Sequence, residues 1–311
     1  FLRVPTLFPA AEAAGRRIAV LTSKDKLRTI LRHELKNPIA FSAEKANEAT
    51  QATHGLSDAE ALLGQPTPSV YSAEASTLVI AAGASLIEQD RADFLYLSTT
   101  DYIQHKHAPK DPTAIAFHAE LDKQIGRLLQ AGAIVGLTAD HGMNAKHNDA
   151  GDPDAIYLQD IIDEWDLGGQ NGDGTARVVL TITDPYVVHH GALGSFCTVY
   201  LSDGADEDAI AEKIRGLDGV LAVYNRADGC AEFELPEERM GDLIVISEKH
   251  KVLGSSAASH DLSGLNEPLR SHGGLTEQKV PLLMNKPSPG LDDDRRLRNF
   301  DIFDVALNFA G

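Results

Sequence analysis

Three short stretches of this sequence carry side chains suited to holding divalent metals. In TTDYIQH, Asp101 and His105 stand four residues apart, so a helical turn begun there brings a carboxylate and an imidazole to one side. In TADHGMN, Asp140 and His141 are adjacent and followed by Gly142, and two neighbouring ligands need the bend that a strand-end loop supplies. In LRSHGG, His272 precedes two glycines that permit close backbone approach. Carboxylate oxygen and neutral imidazole nitrogen suit zinc and related ions. Each stretch alone is equally a polar surface turn. Together the five groups fit a two-metal centre, although they are too few to fill two coordination spheres without further protein groups, substrate or water.

A fourth stretch, TSKDK, carries Lys24 and Lys26. On an extended segment, alternate positions point to one side, where two ammonium groups can bind a carboxylate or phosphonate; a solvated, charged helix start is the plainer reading. His107, His147, His189, His190 and His260 lie in polar or glycine-rich segments, and one or two of them are expected beside the site. Cys197 and Cys230 read as packing residues. Neither a P-loop nor a GxGxxG pattern is present, which leaves ATP and nicotinamide cofactors without support.

The elements that must position these groups are readable as well. RIAVLT at 17–22 suits a buried parallel strand that ends just before the lysines. A helix is expected over 75–89, a strand over 93–98 that opens onto Asp101, and an amphipathic helix over 114–130. A further apolar strand then runs into Asp140. Functional groups of parallel sheets gather at the carboxyl ends of strands, so these loops can contribute to one site. After about Gly151 the pattern changes. A helix at 156–165 and the turn-rich LGGQNGDG lead into the short strands RVVLTI, SFCTVYL, LAVYNR, AEFEL and DLIVIS, with the helical AIAEKIRGL among them. The expected organisation is a main α/β domain over 1–151, a small α+β cap over 152–262, and a return to the main domain over 263–311 with a strand at VPLLMN and a closing helix at DIFDVALNFA.

Composition narrows the function. The 311 residues are 43% hydrophobic, enough for a large core, and 28 Lys and Arg against 46 Asp and Glu give a formal charge of -18, which repels nucleic-acid backbones. Local lysines and bound metals can still reverse the potential in one cleft. Two isolated cysteines, no apolar run of ~18 residues and no leader pattern point to a cytoplasmic protein without membrane association.

The stretches LTSKDKLRTIL, FSAEKAN, PSVYSAEAS, YLSTTDYIQHKHAP, LTADHGMNAKH, TDPYVVHHGALGSF and LSGLNEPLRSHGG resemble the phosphonoacetate hydrolases of the alkaline-phosphatase superfamily along essentially the whole chain. The resemblance implies an alkaline-phosphatase-like fold with a mostly parallel central sheet, two divalent metal ions, zinc in type, and hydrolysis of phosphonoacetate to acetate and phosphate. It assigns Asp101, His105 and His272 to one metal and Asp140 and His141 to the other, makes Lys24 and Lys26 contacts to the substrate carboxylate with His105 and His272 also at the substrate, and makes a homodimer reasonable. The family's amino-terminal metal-binding Asp, its Thr nucleophile and a later Asn have no match upstream of Lys24, and Thr6, Thr99, Thr100 and Thr138 do not replace the nucleophile. An amino-terminal part of roughly one hundred residues is therefore expected to be absent. The competing readings are a phosphodiesterase, phosphomonoesterase or mutase on the same metal scaffold, and an inactive metal- and anion-binding protein.

Overall fold

The computed structural model describes residues 2–165, 176–181 and 189–311. The LGGQNGDG turn and all of TDPYVV lie outside the described residues. The chain forms two compact units, one of residues 1–138 and 282–311 and the other of residues 139–281. The sequence pattern places these boundaries near 151 and 262. In the structure, the segments beyond those boundaries pair with each other: Asn144 and Ala145 lie antiparallel to Ser271 and Arg270 inside the second unit.

The first unit is an α/β layer. Strand β1 (Ile18–Thr22) is flanked in parallel by β2 (Ile39–Ser42) and β3 (Phe94–Ser98), and its five residues are all buried. Alternation divides them between two cores: Ala19 and Leu21 pack with Phe41, Val79 and Leu86, while Ile18 and Val20 pack with Phe8 and Ala40. Helix α1 (Asp25–Leu31) follows β1 directly. Helix α2 (Glu74–Glu88) lies so close to β3 that a Cβ at Gly83 would meet the Leu97 side chain at 2.6 Å. After β3 come α3 (Tyr102–Lys106) and α4 (Pro112–Gln130). Pro112 opens α4, and the Asp111 carboxylate caps it by accepting from the Thr113 N–H. Strand β4 (Gly136–Thr138) ends this part of the unit.

The second unit begins with β5 (Asn144–Ala145) and β6 (Ala155–Tyr157), followed by α5 (Leu158–Asp163). The helix expected from residue 156 thus starts later, because Ala155–Tyr157 pairs in parallel with 252–254. Strands β7 (Ala176–Leu180), β8 (Phe196–Leu201), β9 (Val220–Asn225) and β10 (Leu243–Ser247) form an antiparallel sheet in the order β7, β8, β10, β9. Helix α6 (Glu207–Arg215) packs Ile210, Ala211 and Ile214 into this unit's core, with acidic residues in its first turn and basic ones in its last, as its dipole favours. The first three residues of the expected strand AEFEL are instead the end of helix α7 (Arg226–Phe233), and Glu234 caps it. Its start is fixed by the Asn225 side chain accepting from the Asp228 N–H, and its Phe233 ring meets Tyr224 edge-on. The unit closes with β11 (Val252–Gly254) and β12 (Arg270–Ser271). The chain then returns to the first unit in β13 (Leu282–Met284), antiparallel to β4. The closing segment is a short turn of helix at Ile302–Asp304 running into a π-helix at Val305–Phe309.

Candidate functional site

In the first unit the site is built at the carboxyl ends of β1 and β3. These strands are parallel with Thr22 opposite Ser98, and Ser23 N–H donates to the Ser98 carbonyl at 2.9 Å, so the loops that leave them start side by side. One loop carries Lys24 and the other carries Asp101. The first turn of α2 braces both. Ser23 Oγ donates to the Ala75 carbonyl at 2.8 Å, and Ser76 Oγ both accepts from Thr100 N–H at 3.0 Å and donates to the Thr100 carbonyl at 3.2 Å.

Asp101 is the N-cap of α3, yet its carboxylate caps no backbone group of that helix. It reaches along the helix to His105 Nε2 at 3.0 Å, the four-residue arrangement that the sequence predicts. The His105 side chain is only 2% exposed, against 32% for Asp101. Asp101 and His105 offer an oxygen and a ring nitrogen to a group of side chains that could hold a metal ion.

The lysines depart from the expected geometry. Lys24 is extended (φ -103°, ψ 137°) and caps α1, whereas Lys26 already lies in that helix, so the two do not alternate on one strand. Both are exposed. The segment between them is anchored from below. Thr22 Oγ1 donates to the Lys24 carbonyl at 2.8 Å, and Asp25 N–H donates to Glu44 Oε2 at 2.8 Å. The Asp25 carboxylate accepts from Arg28 at 2.7 Å and from Ser42 at 3.0 Å. Burial pushes the Asp25 carboxyl up, but these bonds outweigh it and hold the group below the ordinary aspartate range.

In the second unit, Asp140, His141 and His272 come together. His141 Nδ1 lies 2.9 Å from the Gly142 carbonyl; a proton there makes Nδ1 the donor and leaves the Nε2 lone pair to bind a metal. The Asp140 carboxylate is 86% exposed, and its Oδ1 accepts from the His141 N–H at 3.1 Å. The His272 ring stacks on the His141 ring with centroids 3.6 Å apart and planes 9° from parallel. His189 and His190 form a further buried pair, edge to face at 4.7 Å, with ring nitrogens within 4.8 Å of each other. The described residues thus offer two groups of donors able to hold a metal ion, one that includes Asp101 and one that includes His189 and His190, and the oxygen and imidazole donors fit zinc.

Sequence reading does not identify Ser23, Ser76 or Glu44, whose roles depend on contacts 19 to 75 residues away in the chain. Nor does it identify Lys146 and Glu277, a pair buried among the loops of the second unit. Their only signal is position, Lys146 five residues beyond His141 and Glu277 five beyond His272.

The family model for type I phosphodiesterase / nucleotide pyrophosphatase matches residues 25–275. Crystal structures of phosphonoacetate hydrolase from Sinorhizobium meliloti 1021, in complex with phosphonoformate and with phosphonoacetate, are 50% identical to this chain with a TM-score of 0.93, covering 100% of it and 75% of the solved chain. A curated relative, the phosphonoacetate hydrolase of Penicillium oxalicum, is 55% identical over 42 residues, a match spanning 12% of this chain and 58% of that protein. Murine ectonucleotide pyrophosphatase / phosphodiesterase 5 shares the fold at 13% identity and a TM-score of 0.54, covering 99% of this chain and 71% of its own. Among the described residues no helix is long and apolar enough to cross a membrane.

Proposed function

This chain belongs to the type I phosphodiesterase / nucleotide pyrophosphatase family and to the phosphonoacetate hydrolases, and on that premise we propose that it serves hydrolysis of the P–C bond of phosphonoacetate. The observation that carries the proposal is the placement of Lys24 and Asp101 on adjoining loops at the same end of the parallel sheet. A substrate with a carboxylate at one end and a phosphonate at the other needs a cationic contact and a metal-ligand cluster near each other.

The proposed ligand sets are Asp101, His105 and His272 for one ion, and Asp140 and His141 for the other. When bound, zinc supplies Lewis-acid polarisation of the phosphonate oxygens. Asp101, held against His105 by the turn of α3, presents its carboxylate without rearrangement of the backbone. Lys24 and Lys26 bind the substrate carboxylate, and their role grows during the reaction. As the P–C bond breaks, its electron pair passes to the methylene carbon and delocalises toward that carboxylate, where the two ammonium groups stabilise it. The carbon then takes a proton and leaves as acetate, while water supplies the fourth oxygen of phosphate. No residue of this chain is assigned as the nucleophile.

In the same reading the protein works in the cytoplasm as a homodimer, and both described cysteines are buried free thiols, as a reducing compartment permits. The decisive experiment is phosphate release from phosphonoacetate by the zinc-supplied protein, run beside a phosphodiester and a phosphomonoester that lack a carboxylate. Catalytic release from phosphonoacetate alone supports the assignment. Faster turnover of the phosphodiester would replace it with phosphodiester hydrolysis.

A further inference from the structure

Lys146 is fully buried, and its ammonium group has three acceptors: Ser195 Oγ at 2.6 Å, the Lys249 carbonyl at 2.7 Å and Glu277 Oε1 at 3.1 Å. All three of its protons are thereby used. Glu277, also buried, is as fully engaged. Its Oε1 accepts from Asn144 at 2.5 Å and Thr276 at 2.6 Å as well as from Lys146, and its Oε2 accepts from the Gly274 N–H at 2.8 Å.

The pair reaches both ligand loops of the second unit through the backbone. The Glu277 carbonyl accepts from the Gly142 N–H at 2.6 Å, next to His141, while its carboxylate holds Gly274, two residues beyond His272. Ser195, the other side-chain partner of Lys146, donates its own N–H to the His272 carbonyl at 2.9 Å. The approach is tight on both sides. A Cβ at Gly142 would sit 3.3 Å from the Glu277 carbonyl oxygen, and one at Gly274 would sit 3.0 Å from its carboxylate. The stacked rings of His141 and His272 are thus held by a single hub.

We propose that the Lys146–Glu277 pair is a positioning device that fixes the spacing of the Asp140–Gly142 and His272–Gly274 loops and so sets the affinity for the two ions those loops ligate. The proposal rests on the reading that Asp140, His141 and His272 are metal ligands. A buried ion pair is a weak source of stability, since apolar residues of similar volume often serve a core as well or better. What an apolar pair cannot supply is the carboxylate that orders Asn144 and Gly274 together with the ammonium that orders Ser195.

The test is zinc affinity of the full chain, measured by competition with a chromophoric chelator, together with the visible spectrum of the cobalt-substituted protein and the thermal midpoint without metal. Glu277→Gln is expected to weaken zinc binding about 10- to 100-fold, the range found when groups that orient metal ligands are changed, and to alter the cobalt bands. The double variant Lys146→Met/Glu277→Leu is expected to regain thermal stability lost in Lys146→Met but not the affinity. Unchanged affinity and cobalt spectrum in Glu277→Gln, or an affinity restored in the double variant, would overturn the proposal even where the wild type binds zinc. If wild type and His141→Ala take up zinc equally, the ligand assignment itself fails and the positioning role falls with it.

Discussion

The two units place their ligand groups by different means. In the first, Asp101 and His105 are neighbours because one helical turn makes them so, and Ser23 and Ser76 only settle where that turn begins. In the second, His141 and His272 are far apart in the chain and meet on glycine-containing loops, joined through a salt bridge whose partners are 131 residues apart. Local geometry makes the first cluster resistant to distant change. The second depends on a network in which the loss of one group leaves others buried without partners.

The contrast can be broken most severely at the ligands. His105→Ala and His141→Ala are each expected to abolish phosphonoacetate turnover and remove bound zinc, measured by elemental analysis, with the first leaving the thermal midpoint of the metal-free protein closer to wild type. Next comes Lys146→Met, which strands the Glu277 carboxylate and is expected to cost ~3–5 kcal/mol in urea unfolding. A similar fall of that protein's stability in Ser76→Ala would erase the distinction between the units. Replacing Lys24 and Lys26 together by Gln is expected to lower turnover of phosphonoacetate by about 10²–10³-fold, as for loss of donors to a developing charge. A phosphomonoester without a carboxylate should be almost unaffected, and equal losses on both substrates would remove the lysines from recognition. Ser76→Ala, which removes a brace from the first cluster, is expected to cost ~1–3 kcal/mol, read by thermal unfolding.

The smallest effect is one of pH. Burial pushes the Glu277 carboxyl up, but hydrogen bonds from Asn144, Thr276 and Gly274 and the charge of Lys146 outweigh it, so its folded value lies below that of an ordinary glutamate. The stability it contributes is complete above the ordinary glutamate range and is lost as pH falls through the depressed folded value. The gap in thermal midpoint between wild type and Glu277→Gln should therefore be widest near neutrality and close in acid. A gap that held constant into acid would show that the carboxylate charge contributes nothing to the hub.

What the sequence discloses follows the same division. The buried run of β1, the apolar spacing of α4 and the four-residue interval from Asp101 to His105 are local patterns, and the structure has each of them. The pairing of 144–145 with 270–271 is a long-range choice that local pattern leaves open, and it moves the boundary between the units away from the expected 151 and 262. AEFEL reads as a strand by alternation, but the Asn225 cap begins a helix that continues through Phe233. Lys26 fails as an extended residue for a similar reason. Helix α1 starts at Asp25, whose N–H and carboxylate are both held by residues of the β2 region, Glu44 and Ser42.

The in-register pairing of β1 and β3 also acts as a ruler. Strands advance by ~3.3 Å per residue, so sliding one strand along the other by a single pairing step of two residues would move the Lys24 loop relative to Asp101 by roughly 6.6 Å. That exceeds the length of a two-carbon acid. Under the proposed function, the spacing between the two charged ends of the substrate is written in backbone alignment rather than in the choice of side chains.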